Sequence, residues 1–429
     1  MSRLPRPTEF QMTAQALSQH PRKPASPWLR RLAIFGPGLI VMLADTDAGS
    51  VMTAAQSGAQ WGYRLLVLQV MLIPVLFIVQ ELTVRLGLAT GRGHGELIRD
   101  TFGRGWAWLS VGTLAIACIG ALLTQLSGIA GIATMFGWPV APTIAVVVAA
   151  ILFMVFTGSY RSVERIALVF GLFELAFVLA AWRTAPEAHQ IASQFLAAPL
   201  GDPQFRYLAA ANVGAVIMPW MVFYQQSAVV DKGLGLQHLR IARIDTAIGA
   251  VLTQVIMAAI IITTAAAVGR GTIANSLDNV SQVANALSGL FGPRASRIVF
   301  AAGLAGAALV ATIVVCLTAA WGVGEVAGYS RSLEHHPREA PWFYAVFSIT
   351  LIAGGVLAAS GLDVVRLSLA VQVMNTLLLP VVLGFLFLLG RRALSGPHRL
   401  QGAYAWVSGA LIAATCIFGL ISALWGSAA

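Results

Sequence analysis

The sequence predicts an all-α polytopic membrane protein, and three observations carry that reading. Of 429 residues, 58% are hydrophobic and only 10% are Asp, Glu, Lys or Arg, against roughly 25% charged residues in an average soluble domain. Mean hydropathy is +0.80. The apolar residues fall in long runs, and a run of about 20 is what crosses a hydrocarbon core as a helix. About eleven such runs fit, leaving short loops and a polar N-terminal stretch, with no room for a separate soluble catalytic domain. The function must therefore lie inside the bundle.

Taken in order, Met1–Arg31 holds six basic residues and one acid, Glu9, without the apolar core of a secretory signal. It reads as a disordered cytoplasmic tail, with an Arg- and Ser-containing transit peptide as the alternative. Apolar runs and their Gly, Pro and charged punctuation place spans near 33–60, 63–88, 106–135, 139–157, 162–182, 207–229, 242–268, 296–325, 342–359, 363–390 and 403–426. With the N-terminus in the cytoplasm, the 27 basic residues divide 20 to 7 in favour of the cytoplasmic segments. The positive-inside rule then sets the N-terminus inside and the C-terminus outside, in a membrane of the bacterial inner type. The net charge of +10 is thereby explained by topology, since the basic residues are scattered between spans rather than gathered into a nucleic-acid surface. Cys118, Cys316 and Cys416 stand far apart in apolar stretches and form neither a disulfide framework nor a CxxC metal motif.

Two spans carry helix-breaking residues at mid-depth. The first reads PGLIVMLADTDAGSVMTAAQ, interrupted at Asp45, Asp47 and Gly49, and the sixth reads ANVGAVIMPWMVFYQQSAVV, interrupted at Gly214, Pro219 and Gln225-Gln226. A mid-helix proline removes a backbone hydrogen bond, and unwound backbone at membrane depth is tolerated only where it lines a protein cavity. Asp47 and Pro219 stand at corresponding places in two successive five-span units. That is the pattern of an inverted-repeat secondary transporter, whose discontinuous helices meet at the midplane. The bland alternative is an ordinary kink at Pro219 and a local salt bridge made by the aspartates of span one.

A carboxylate at the bilayer centre costs at least about 2.5 kcal/mol, and neither Asp45 nor Asp47 has a basic residue nearby in its own span. A bound metal ion is the simplest partner for the two. Capping of the half-helix that begins near Ser50 accounts for one aspartate but not easily for both. Opposite them, Met218 precedes Pro219, and a thioether is a soft ligand suited to transition metals rather than to Mg2+ or Ca2+.

GPGLIVMLADTDAGSVMTAAQSGAQWGYRLL and QELTVRLGLATGRGHGELIRDTFG resemble the first two spans of the NRAMP family of divalent-metal transporters. The resemblance continues through GAVIMPWMVFYQQSA in span six, FAAGLAGAALVATIVVCLTAAWGVGEVAG in span eight and VQVMNTLLLP in span ten. It implies a leucine-transporter-like 5+5 inverted repeat with helices one and six broken, and a metal held between the breaks. The family's Asp-Pro-Gly-Asn motif is matched by Asp47-Ala48-Gly49-Ser50, and its Met-Pro-His-Asn motif by Met218-Pro219-Trp220-Met221. The implied metal set is the Asp47 carboxylate, the Met218 thioether and the carbonyls of Ala44 and Ala215. Ser50 and Gln372 would assist, and Asp45 is a possible further carboxylate. No resident cofactor is implied, because the metal is the cargo.

The departures from the family carry equal weight. Trp220 and Gln225 replace both span-six histidines, and Gln125 and Gly128 align with the acidic pair of span three that belongs to the family's proton route. Histidine is the side chain that titrates near neutrality, so weak or absent proton coupling is expected, as in the divergent NRAMP-related branch that includes magnesium transporters. Met218 favours Mn2+ or Fe2+ by softness, whereas Ser50 and Asp45 favour a harder ion such as Mg2+. The balance is read toward Mn2+. An amino-acid or other organic-solute transporter of the same fold is the rival, disfavoured because two aspartates would repel a substrate carboxylate. HExxH, GxSxG and GxxxxGK[ST] motifs are absent, which argues against an enzyme.

Other charges have more local readings. Glu81 and Arg85, one turn apart, form a structural pair, and Glu174 in span five could line a permeation path. Arg161, Glu164 and Arg165 form an interfacial cluster, as do Arg243 and Asp245. His335-His336 belongs to a solvated loop with Glu334, Arg338 and Glu339. The expected organisation is a tail (1–31), a first five-helix repeat (32–182), an extracytoplasmic loop (183–205), a second repeat (206–390), and a loop with an eleventh helix (391–429). The lipid bilayer is the implied partner, and a monomer is compatible with everything above.

Overall fold

A computed structural model of the chain describes residues 37–157, 166, 169–184, 188–269, 277, 279–286, 292–330, 332 and 335–426. The tail over 1–31 and the cluster Arg161, Glu164 and Arg165 lie outside the described residues, as does Glu334. The first span is two helices, α1 (Pro37–Asp45) and α2 (Ala48–Trp61). There follow α3 (Leu66–Thr90), the short α4 (His94–Phe102), α5 (Arg104–Phe136) and α6 (Val140–Thr157). A 3₁₀ turn, Leu172–Glu174, leads into α7 (Leu175–Thr184), and α8 (Ala188–Phe195) comes next. The sixth span is again two helices, α9 (Pro203–Val216) and α10 (Pro219–Asp231). The chain continues through α11 (Leu239–Gly269), α12 (Val280–Ala286), α13 (Pro293–Ala327), α14 (Pro341–Ala358), α15 (Val364–Arg392) and α16 (Gly402–Gly426).

Helix lies at each of the expected span positions. Among the described residues, nine helical stretches are long and apolar enough to cross a membrane. The first span falls short of that length because its break leaves pieces of 9 and 14 residues. Local chemistry sets the boundaries. Pro203, Pro219, Pro293 and Pro341 open their helices, where a missing N–H costs nothing. Asp202 and Asp363 accept hydrogen bonds from the first free N–H groups of α9 and α15, the usual N-cap arrangement.

The bundle centre is built by α13 packed along α5, by α11 lying against α1, α2 and α3, and by α9 held between α15 and α16. By contrast, α6 and α14 expose Val146, Phe153, Ile349 and Val356, apolar surface that suits a bilayer rather than water. The α9–α15 approach depends on Gly214, because a Cβ there would stand 1.8 Å from the Gln372 carbonyl oxygen. All three cysteines are free and buried.

Glu81 and Arg85 pair as expected (2.5 Å), within a larger group. Arg243 Nε donates to Glu81 at 2.7 Å and the Tyr404 hydroxyl donates to it at 3.2 Å. The expected Arg243–Asp245 grouping is corrected: residues two apart on a helix do not face each other. Arg243 turns to Glu81, while Asp245 is buried and accepts from the Gly38 N–H at 2.8 Å. His335 and His336 are exposed.

Candidate functional site

The two breaks sit in the buried centre. In the first, Asp47 has extended backbone (φ −70°, ψ 173°) and caps α2, accepting from the Ser50 N–H at 2.6 Å. A side chain two residues past the end of α1 thereby becomes the first fixed group of α2, a contribution of about 1 kcal/mol to helix stability. Its second oxygen accepts from Gln125 Nε2 at 2.5 Å, and Gln125 Oε1 accepts from the Ala48 N–H at 2.9 Å. One amide on α5 therefore holds both the carboxylate and the start of the helix it caps.

Across from Asp47, the Ser50 hydroxyl donates to the Ala215 carbonyl at 3.0 Å, which ties α2 to the last turn of α9. Gln372 Nε2 lies 3.5 Å from Ser50 Oγ, and Asn375 Nδ2 donates to Gln372 Oε1 at 2.8 Å. Gly49 leaves room for this meeting, since a Cβ there would be 2.7 Å from Gln372 Nε2 and 3.3 Å from Asp47 Oδ1. A further chain of amides braces the same helices: Gln69 donates to Asn212 (2.7 Å) and Asn212 to Ser57 (2.8 Å).

In the second break, Met218 has extended backbone (φ −94°, ψ 140°) ahead of Pro219. Trp220 Nε1 donates to the Met218 sulfur at 3.1 Å, and the Met218 N–H donates to the Met221 sulfur at 3.3 Å. The thioether is fully buried and engaged by its own helix.

Thus Asp47, Ser50, Ala215 and Gln372 come together directly. Ala44 lies buried in the last turn of α1, and Met218 occupies the facing break. Asp45 stands apart from this bonded set, its two carboxyl oxygens buried without a hydrogen-bond partner among the described residues. Gln125, Asn375 and Thr124, whose hydroxyl lies 3.3 Å from Gln125 Nε2, adjoin the candidate site but were not in the predicted set. Gln125 entered the sequence reading only as a replaced acid, although a lone amide on an apolar helix must find partners when buried. Gln225, also read as a replacement, donates to Thr246 at 3.0 Å, away from the Asp47 set.

This arrangement places hard oxygens, one anionic carboxylate and one thioether between two helix breaks. The family model for natural resistance-associated macrophage protein-like sequences matches residues 38–424. The divalent metal cation transporter MntH of Acidiphilium cryptum is 28% identical over 95% of this chain and 94% of its own length. The protein of the same name from Granulibacter bethesdensis is 27% identical over 97% and 93%. Among solved structures, a manganese transporter of Eremococcus coleocola superposes with a TM-score of 0.72 at 18% identity, over 93% of this chain and 88% of that one. MhsT in complex with L-phenylalanine reaches 0.66 at 15% identity, over 91% and 98%. The fold is the leucine-transporter-like one that the resemblance implied, and the match to the family model over nearly all the described helices makes this chain a member of the NRAMP family.

Proposed function

We propose that this membrane protein is a secondary transporter that imports a divalent metal cation by alternating access, with Mn2+ or Fe2+ preferred. The single observation that carries the reading is Asp47: a fully buried carboxylate, fixed by Ser50 and Gln125 at a helix break that faces a second break bearing Met218. Relatives named as divalent metal cation transporters over nearly their whole length support it, and they weigh against both an enzyme and an organic-solute carrier.

In this reading Asp47 is the anionic ligand and Met218 the soft one. The carbonyls of Ala44 and Ala215 complete the inner set, Ser50 and Gln372 assist, and Asp45 adds negative charge nearby. The Ala215 carbonyl accepts from the Ser50 hydroxyl and the Met218 sulfur from the Trp220 indole, and each keeps a second lone pair with which it could ligate the metal. The 5+5 inverted repeat supplies the alternation, with the N-terminus in the cytoplasm and the C-terminus outside. Proton coupling is weak or absent, because Gln125 and Gln225 carry amides, which do not titrate.

Mg2+ is the second reading. It is favoured by the oxygen-rich contacts among Asp47, Ser50, Ala215 and Gln372 and by the engagement of the Met218 sulfur with Trp220. Competitive flux into proteoliposomes separates the two. Mn2+ uptake that survives excess Mg2+ and is lost in Asp47→Ala supports the soft-site reading, whereas Mg2+ uptake that resists Mn2+ replaces it. Robust metal-driven acidification of the lumen would refute the absence of coupling.

A further inference from the structure

If Asp45, Asp47 and Glu174 are all ionised, a single divalent ion at the first break leaves their charge unbalanced. Asp45 and Glu174 are both fully buried; the two carboxyl oxygens of Asp45 have no hydrogen-bond partner among the described residues, and neither carboxyl has a cationic partner there. They come from different elements. Asp45 ends α1, and Glu174 closes the 3₁₀ turn that interrupts the fifth span before α7. That turn is wedged between α1 and α13: a Cβ on Gly171 would stand 2.5 Å from Leu43 Cδ1, and one on Gly306 would stand 2.4 Å from the Phe170 carbonyl oxygen. Glu174 thereby reaches Thr46, inside the break. Mid-span 3₁₀ turns commonly mark functional positions.

Among the described residues, the charged groups acting on these carboxyls are other carboxyls: Asp47 and Glu174 on Asp45, and Asp47 on Glu174. The C-terminal end of α1 adds to the negative field, since the last carbonyls of a helix lack intrahelical partners and carry the negative end of its dipole. Buried carboxylates must be paired or coordinate a cation. A divalent ion at Asp47 brings two positive charges to three carboxylates, leaving one negative charge on the side of Asp45 and Glu174. The oxygens there are hard, and neither sulfur nor imidazole is offered with them, which selects an oxygen-preferring ion.

The geometry points to a second cation site, formed by Asp45 and Glu174 between α1, the 3₁₀ turn and α13, that takes a hard monovalent metal ion of the Na+ class beside the divalent site. The charge count rests on the proposed metal transport; the site itself rests on two fully buried carboxyls from two elements, Asp45 without a hydrogen-bond partner among the described residues and Glu174 at Thr46 inside the same break. Occupancy would brace α1 against the turn and α13, and would make metal uptake respond to Na+.

The test is binding of 22Na+ to the purified full-length chain in nanodiscs without divalent metal, followed by 54Mn2+ uptake into proteoliposomes in Na+ or choline medium. Saturable 22Na+ binding is expected in the wild type. It should be retained in Glu174→Asp and Met218→Ala, and weakened about tenfold or more in Glu174→Gln and Asp45→Asn, as befits loss of a charged oxygen ligand. Variants are scored only if they elute as monodisperse protein, and Asp45→Asn carries the comparison if Glu174→Gln misfolds. Uptake of 54Mn2+ should be faster in Na+ than in choline. Absence of saturable 22Na+ binding in the wild type, or binding that both neutral variants leave unchanged, overturns the site. Uptake that follows a pH gradient and ignores Na+, with no 22Na+ bound, assigns the charge to a proton and also overturns it. Expected 22Na+ binding with no uptake of any divalent metal would sink the transport reading and leave this site standing.

Discussion

Asp45 and Asp47 lie two residues apart in the same break, yet their surroundings are opposite. Asp47 accepts from Ser50 and Gln125 and caps α2, so both of its oxygens are aimed. Asp45, at the end of α1, is equally buried and its oxygens have no hydrogen-bond partner among the described residues. The difference comes from chain geometry. Where α1 stops and α2 starts, consecutive side chains pass from the end of one helix to the cap of the next, so a spacing of two sends them to different neighbours. One carboxylate is positioned by hydrogen bonds, as the proposed ligand role would need; the other is held in place by packing. Pre-organisation of this kind separates a ligand whose geometry is supported from outside the first contacts from one left to local chance.

The most severe way to break the contrast is Asp47→Ala, which removes the cap and the proposed central ligand together. Metal uptake in proteoliposomes should fall by at least about 100-fold, beyond the 10–100-fold range usual for supporting residues. Asp45→Ala should cost less, and equal losses would erase the distinction. Next in size is Gly214→Ala. Its Cβ would run into the Gln372 carbonyl, pushing α9 from α15 at a cost of about 1–3 kcal/mol typical of overpacking, read as a lower unfolding temperature in detergent and weaker metal binding.

Gln125→Leu should make Asp47 resemble Asp45, by leaving Asp47 Oδ2 and the Ala48 N–H without their partner. Metal affinity measured by calorimetry should drop about tenfold, within the range for orienting partners, and Gln125→Glu should alter it by charge rather than by geometry. Met218→Ala tests softness: Mn2+ and Cd2+ uptake should suffer more than Mg2+ uptake, and equal losses would remove the thioether from the argument. The smallest effect is expected from Trp220→Phe. It frees the Met218 sulfur from an indole donor and should raise affinity for Cd2+ by about two- to threefold, since a hydrogen bond contributes about 0.5–1.5 kcal/mol net and thioether acceptors are weak.

Much of this was legible before any coordinates. Long apolar runs required helices, since a backbone in lipid must satisfy its own hydrogen bonds, and the span positions followed. Pro219 and the Asp45–Gly49 stretch announced the breaks, because proline removes a donor and carboxylates do not sit idle in hydrocarbon. The pairing of Glu81 with Arg85 was readable from a four-residue spacing. The regrouping of Arg243 with Glu81, and of Asp245 with Gly38, was not, because both contacts join residues more than 150 positions apart.

The sequence by itself determined the class of protein and the two places where its helices break, since these depend on composition and on local backbone chemistry. Only the tertiary structure decided which carboxylate is aimed. Gln125 reaches Asp47 from 78 residues away, Ser50 reaches Ala215 from 165, and the turn at Glu174 arrives beside α1 by packing on Leu43. Hydrogen bonds and charges act through space at a few ångströms, and it is the packing of whole helices that sets which side chains come that close.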